Sequence, residues 1–211
     1  MKTKQPQSAA YWRKRPIKDP HRDWGYGEKT WVDDYAMSVI HPHRQLVIDA
    51  ITDTPCGKVA EIGANCGPNL SLISLNYPHR KLYGIDASKD AVKYARKHNK
   101  AAKIVEGTFD ALPWKNKSMD VVLADAVFMY ATPSKIRKTL IEALRVTKTA
   151  LIIVDRESTY SRLTGAVWAH PYTKLLKDLG MNVKKTKIRK KDWPESPNWY
   201  KYGYVITATF Q

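Results

Sequence analysis

Five residues in one short stretch have the types and spacing of a ligand site: Glu61, Gly63, Asn65, Pro68 and Asp86. The run Val59-Ala60-Glu61-Ile62 is apolar apart from its acid and stops at Gly63. Ala64-Asn65-Cys66-Gly67 makes a tight loop, Pro68 suits the first turn of a helix, and a second apolar run, Leu82-Tyr83-Gly84-Ile85, ends at Asp86, 23 residues beyond Gly63. Strand, turn, helix, strand and acid in that order make a nucleotide-type site at the carboxyl edge of a parallel sheet. A dinucleotide loop needs glycine at its first, third and sixth positions, so that the backbone can approach a pyrophosphate. Those positions are Gly63, Asn65 and Pro68 here. The Asn65 side chain crowds a pyrophosphate, Pro68 offers no N–H to an anion, and Glu61 repels phosphate while favouring a cation. The stretch therefore suits a positively charged nucleoside without phosphates.

The elements that must hold these groups follow from periodicity and caps. Thr30 or Asp33 caps a helix through about Ile40, and Pro42 interrupts it. A helix from about His43 to Ile51 turns Leu46, Val47, Ala50 and Ile51 inward. Ser88 caps a helix to about Asn99, and Ala102 to Glu106 is a strand. Val121-Val122-Leu123-Ala124 is continuously apolar, as a parallel strand covered on both faces must be, and Asp125 ends it. Thr132-Pro133 opens a helix through about Arg145 with Ile136, Leu140, Ile141 and Leu144 as its stripe. Leu151 to Val154 is a fifth buried strand, ended by Asp155. A helix from Tyr172 to Leu179 is closed by Gly180. Strands over about 182–189 and 203–210 finish the chain. The loop between them carries no helix, so they pair antiparallel.

The segment E-I-G-A-N-C-G, residues 61–67, resembles motif I of the class I S-adenosylmethionine (SAM) methyltransferases, and L-Y-G-I-D resembles their second-strand motif, whose acid holds both ribose hydroxyls. E-G-T-F-D-A-L-P-W, residues 106–114, is similar to the family's G-D-A-x-x-L-P-F, except that Thr108 stands where the adenine-contacting aspartate is usual. The resemblance implies an α/β, Rossmann-like, seven-stranded, mostly parallel sheet with helices on both faces and a C-terminal antiparallel hairpin, in the order 3-2-1-4-5-7-6. It implies SAM as cofactor, S-adenosylhomocysteine (SAH) as product, and a cofactor site made of Glu61, Gly63, Ala64, Asn65, Gly67, Asp86, Ala87, Thr108, Phe109, Asp110 and Asp125. Phe109 would flank the adenine, and Thr108 or Asp110 would meet its amino group. Arg44, in the turn His41-Pro42-His43-Arg44 over the pocket, is a candidate for bidentate pairing with the methionyl carboxylate. Trp24, Tyr26, Trp31 and Tyr35 are candidates for the acceptor wall. A base, where one exists, belongs near the end of the fourth strand, which offers Asp125 and then Tyr130, with His170 entering from a later loop. The expected organisation is a basic arm at 1–22 with Tyr11-Trp12 as anchor, a helical cap at 23–55 and a SAM-binding domain at 56–211.

The formal net charge is +16. Residues 1–22 and 184–191 hold thirteen basic residues against one acid, which places +12 of that charge at two ends and leaves the middle nearly balanced. Such patches are an electrostatic footprint for nucleic acid or a solvated face. Specific base-methylation signatures are missing. Asp125-Ala126-Val127-Phe128 lacks the paired prolines of amino-group methylases, and no cysteine stands there as a nucleophile for pyrimidine C5. Cys56 and Cys66 form no close pair, and His41 and His43 have no third ligand nearby, so no metal is expected. No apolar run is long enough to span a membrane, the start MKTKQPQS has no apolar core, and a reduced cytoplasmic setting is expected. The sequence thus supports a SAM-dependent methyltransferase for a small or medium polar acceptor. Its alternatives are a methyltransferase for RNA or another polyanion, and a SAM-binding module without catalysis.

Overall fold

The computed structural model describes residues 9–15 and 30–210. Trp24, Tyr26 and most of the basic arm lie outside the described residues. Two short helices come first, α1 (Ala9–Lys14) and α2 (Trp31–Met37). The Thr30 hydroxyl caps α2 by accepting from the Asp33 N–H at 3.2 Å. A 3-10 turn, Ser38–Ile40, leads to α3 (His43–Thr52). Then follow β1 (Lys58–Ile62), α4 (Pro68–Asn76), β2 (Lys81–Asp86), α5 (Lys89–His98), β3 (Ala102–Glu106), β4 (Met119–Asp125), α6 (Ile136–Val146) and β5 (Thr147–Arg156). The chain closes with β6 (Arg162–Leu163), β7 (Trp168–Ala169), α7 (Tyr172–Lys177), β8 (Met181–Lys187), α8 (Pro197–Tyr202) and β9 (Gly203–Phe210).

Seven strands form one sheet in the order β3-β2-β1-β4-β5-β9-β8. Pairings among the first five are parallel, and β9 runs antiparallel to both β5 and β8. With β8 and β9 as sixth and seventh strands of this sheet, the order is the expected 3-2-1-4-5-7-6. The parallel strands alternate their side chains between two cores. Val59, Leu82, Val121 and Ile152 pack under α3, α4 and α5. Ala60, Val122, Leu151 and Ile206 pack under α6 and α7. Strands buried on both faces need apolar residues at every position, which is why β4 reads without alternation.

Three expectations are corrected here. A helix, α8, does lie between the last two strands. At six residues it is too short to carry a crossover, so the antiparallel pairing stands. Helix α6 begins at Ile136 rather than Thr132. Residues 132–135 form a turn in which Thr132 O accepts from Lys135 N and Ile136 N. Ile141 belongs to the exposed side of α6, at 43% accessibility, because its rotation carries it off the stripe of Ile136, Leu140 and Leu144. The two-stranded β6–β7 ribbon left no signal in the sequence.

Candidate functional site

The β1–α4 loop is shaped by three residues with positive φ: Gly63 (+72°), Asn65 (+47°) and Gly67 (+81°). The N–H groups of Gly63 and Ala64 both bond Ile85 O, at 2.8 and 3.0 Å, and so tie the loop to β2. Asn65 accepts the left-handed conformation that its short amide tolerates, and its side-chain Oδ1 accepts the Cys66 N–H at 2.8 Å. Asp86 receives the N–H of Asn65 on Oδ2 and that of Ser88 on Oδ1, each at 2.8 Å. Each oxygen keeps lone-pair capacity for a further donor. Burial raises the Asp86 pKa, against the pull of those backbone donors. A cavity of about 430 Å³ opens over this loop, between the carboxyl ends of the central strands.

A buried polar cluster forms the floor of the cavity. Asp125 Oδ2 accepts from Arg44 Nη1 (2.6 Å), Asn69 Nδ2 (2.9 Å) and His43 Nε2 (3.1 Å). Asn69 joins three ionisable groups. Its amide also donates to Glu61 Oε1 at 2.7 Å and accepts from Arg44 Nη1 at 2.9 Å. Burial raises the Asp125 pKa, but His43, Arg44 and Asn69 outweigh it and hold the carboxyl well below its ordinary value. Burial drives His43 down to about 4 against the attraction of Asp125, so it is neutral near pH 7. Glu61 has no cation close enough to offset burial, which pushes it up to about 8. Two buried oxygens that border the cavity, Glu61 Oε2 and Asp125 Oδ1, have no hydrogen-bond partner. Beyond His43, the ring of His41 touches His43 Nδ1 through its own Nδ1, and His41 Nε2 meets the exposed Glu195 at 3.0 Å. Trp193 stacks on His43 at 4.1 Å and on Trp199 at 3.9 Å, which forms an aromatic side wall.

Glu61 gives a pH signature. An unfolded chain releases this proton near 4.5, whereas the folded protein holds it to about 8. Folded molecules therefore carry the extra proton between those limits, and raising pH through that window destabilises them. Asp155, raised by burial to about 7, acts in the same direction up to that pH. Between pH 7 and 8 stability is expected to fall by about 1 kcal/mol on account of Glu61. Thermal melts at the two pH values check this, and Glu61→Gln is expected to flatten the difference.

The cavity brings together Glu61, Gly63, Ala64, Asn65, Asp86, Ala87, Thr108, Phe109, Asp125, Arg44, Tyr35 and Tyr130. Four expected residues lie elsewhere. Gly67 caps α4 behind the loop, where a Cβ would face Asn99, Ile104 and Ala95. Asp110 is exposed on the far side of the turn. Trp31 is fully buried against Trp12, Tyr35 and Cys66, as core rather than acceptor wall. His170 is also fully buried. Its Nε2 donates to Ala131 O at 3.1 Å and its Nδ1 accepts from Ser161 Oγ at 2.8 Å, so neither nitrogen faces the cavity. Arg44 is present, but four of its donor positions go to Ser38 O, Ser38 Oγ, Asn69 and Asp125. Bidentate pairing with a ligand carboxylate would break at least one of these four bonds.

Sequence reasoning gave no role to Asn69, Val127, Arg156 or Glu195, and took His43 only as part of a turn. By sequence Trp193 and Trp199, just beyond the charge run, could stack on unpaired bases or cover the sheet edge as core; they are 5% and 4% exposed and stack on each other, as wall. The charge run 184–191 lies partly on the edge strand β8 and is partly engaged, with Lys185 bound to Glu157 and Lys187 to Lys201 O.

Residues 60–153 match the family model described as a methyltransferase domain. Solved structures share the fold. A SAM-dependent methyltransferase from Aquifex aeolicus is 21% identical, with 85% of this chain and 95% of that chain covered and a TM-score of 0.62. The magnesium protoporphyrin IX methyltransferase of Synechocystis PCC 6803, solved with bound SAM, is 16% identical over 96% of this chain and 95% of its own, at 0.65. The plantazolicin methyltransferase BpumL, solved with a substrate analogue and SAH, is 17% identical over 96% and 95%, at 0.67. No curated protein sequence is significantly similar to this chain. Residues 60–153 thus carry a methyltransferase-domain match on a fold shared with SAM-dependent methyltransferases, and the cofactor of those proteins is SAM. The site fits it. Gly63 lets the loop close on Val127, Asp86 offers two acceptors for a ribose, and Glu61 presents a bare carboxyl oxygen to a cationic ligand. Among the described residues no helix is long and apolar enough to cross a membrane.

Proposed function

We propose that this protein transfers the methyl group of SAM to a small or medium polar acceptor, at an O–H or N–H that hydrogen-bonds Asp125. The observation that carries the reading is Asp125 itself. One oxygen is fixed by Arg44, Asn69 and His43, while the other borders the cavity with no partner. When bound, SAM supplies an electrophilic methyl group that carries its own leaving group, so the protein mainly positions the acceptor and excludes water. Asp125 Oδ1 orients the acceptor's proton. His43, His41 and Glu195 then give that proton a route to the surface. Three hydrogen-bond contacts link Asp125 to Glu195. The relay runs through the tautomer in which His43 Nδ1 donates to His41 and His41 Nε2 donates to Glu195; His43 Nε2 then accepts, and the acceptor's proton, taken up by the Asp125 carboxyl, fills the third contact.

Titration calorimetry with SAM and SAH is the first test, and heat with neither sinks the reading. Binding without methyl transfer to any component of a metabolite extract would favour the catalytically silent module. For an acceptor so found, His43→Gln keeps a donor for Asp125 but cannot relay. It is expected to slow turnover by about 100-fold or more with SAH affinity within about twofold. An unchanged turnover removes the relay. A methyltransferase for RNA or another polyanion is the competing reading, favoured by the exposed Lys184, Lys190 and Lys191. Tighter binding to tRNA than to heparin, with a steep salt dependence, would select it. The free thiols Cys56 and Cys66 fit a cytoplasmic setting.

A further inference from the structure

Arg156 closes β5 and lines the cavity, yet nothing in the cofactor site uses it. It is 9% exposed. Burial lowers its pKa, although a guanidinium stays charged at any physiological pH. Nη1 donates to Thr164 O at 2.7 Å, and the guanidinium carbon lies 5.1 Å from the centre of the Trp199 ring. Nε is buried with no partner. Among the described residues no carboxylate forms an ion pair with Arg156. Its neighbour Asp155 is occupied by the N–H groups of Met129 and Arg156 and by the Tyr172 hydroxyl. Asp155 attracts Arg156 through space without pairing with it, so the buried cation keeps a desolvation cost that a directly bound anion relieves.

The sheet order says which ligand brings that anion. Gly63 and Asp86 mark the cofactor half, at the ends of β1 and β2. Asp125 ends β4, the next strand beyond β1, and Arg156 ends β5 beyond that. Asp125 thus stands between the ribose acid and Arg156, which puts the guanidinium on the acceptor's side. Trp193 and Trp199 supply an apolar wall beside it. We propose that Arg156 seats a carboxylate of the methyl acceptor, so that the substrate is a small organic acid with an apolar or aromatic body, its O–H or N–H at Asp125 and its carboxylate at Arg156. This rests on the methyltransferase reading and narrows it.

The test uses the full chain saturated with SAH, with benzoate and benzamide as probes that differ in charge and little in shape, followed by tryptophan fluorescence. Benzoate is expected to bind at least about 10-fold more tightly than benzamide. Arg156→Gln is expected to abolish that preference and Arg156→Lys to retain part of it, with SAH affinity unchanged in both. Equal binding of the two probes to the wild type, no binding of benzoate to the SAH complex, or an undiminished preference in Arg156→Gln overturns the proposal. A protein that binds no SAH fails at the methyltransferase reading instead, so the two failures are told apart in one sample.

Discussion

Gly63→Val is expected to abolish measurable binding of SAM and SAH. A Cβ at this position would lie 2.5 Å from Val127 Cγ2 and 2.8 Å from Val127 Cβ, distances that real carbon atoms do not adopt. Val127 follows directly on the Asp125-Ala126 turn, where Ala126 itself has φ +55°, so the neighbour cannot simply step back. The clash pushes the β1–α4 loop away from the end of β4, and those are the two edges between which the cavity opens. Gly63 also has φ +72°, where a β-branched residue is strained by about 1–3 kcal/mol. Gly180→Ala separates the two effects. Gly180 has φ +79° with nothing near its missing Cβ, so it shares the backbone strain without the collision. Calorimetry with SAH should show no heat for Gly63→Val and wild-type heat for Gly180→Ala. A Gly63→Val protein that binds SAH at wild-type affinity would place the ligand away from this loop.

Asp86→Ala is expected to weaken SAH at least tenfold. Each hydrogen bond between a ribose hydroxyl and this carboxylate is charge-assisted and contributes about 1.5–3 kcal/mol, and loss of about 1.4 kcal/mol is already tenfold. The structure adds a second consequence. Asp86 also accepts the N–H groups of Asn65 and Ser88, so the alanine variant loosens the loop and the α5 cap together, at about 1 kcal/mol per bond. Asp86→Asn retains one carboxyl-type oxygen for the backbone and should recover stability more than affinity. An unchanged SAH affinity in Asp86→Ala would show that the ribose is held elsewhere.

The sequence by itself determined the elements of the seven-stranded sheet and their order along the chain. An apolar run that ends at Gly63, a helix opened by Pro68 and a run that ends at Asp86 have few alternatives, because period and turn chemistry are local properties of the chain. The unbroken apolar character of β4 placed it in the middle of a sheet for the same reason. Asp86 and Glu61 were legible as residues beside the cavity because the turn that places them is written next to them.

Only the tertiary structure decided which polar groups meet. Arg44, Asn69 and Asp125 lie on α3, α4 and β4, and their contact depends on how two helices settle on one sheet, which no local pattern encodes. The same packing paired Arg44 with the Asp125 carboxylate. It turned Trp31 and His170 inward, because the carbonyl of Ala131 and the hydroxyl of Ser161 were there to satisfy the imidazole. Asp110, two residues past the family's position, fell on the outside of a turn where reversal of the chain sends neighbouring side chains apart. Arg156 lay just past the strand expected to end at Asp155. Its meaning came from what surrounds it, a buried charge that forms no ion pair with any described carboxylate.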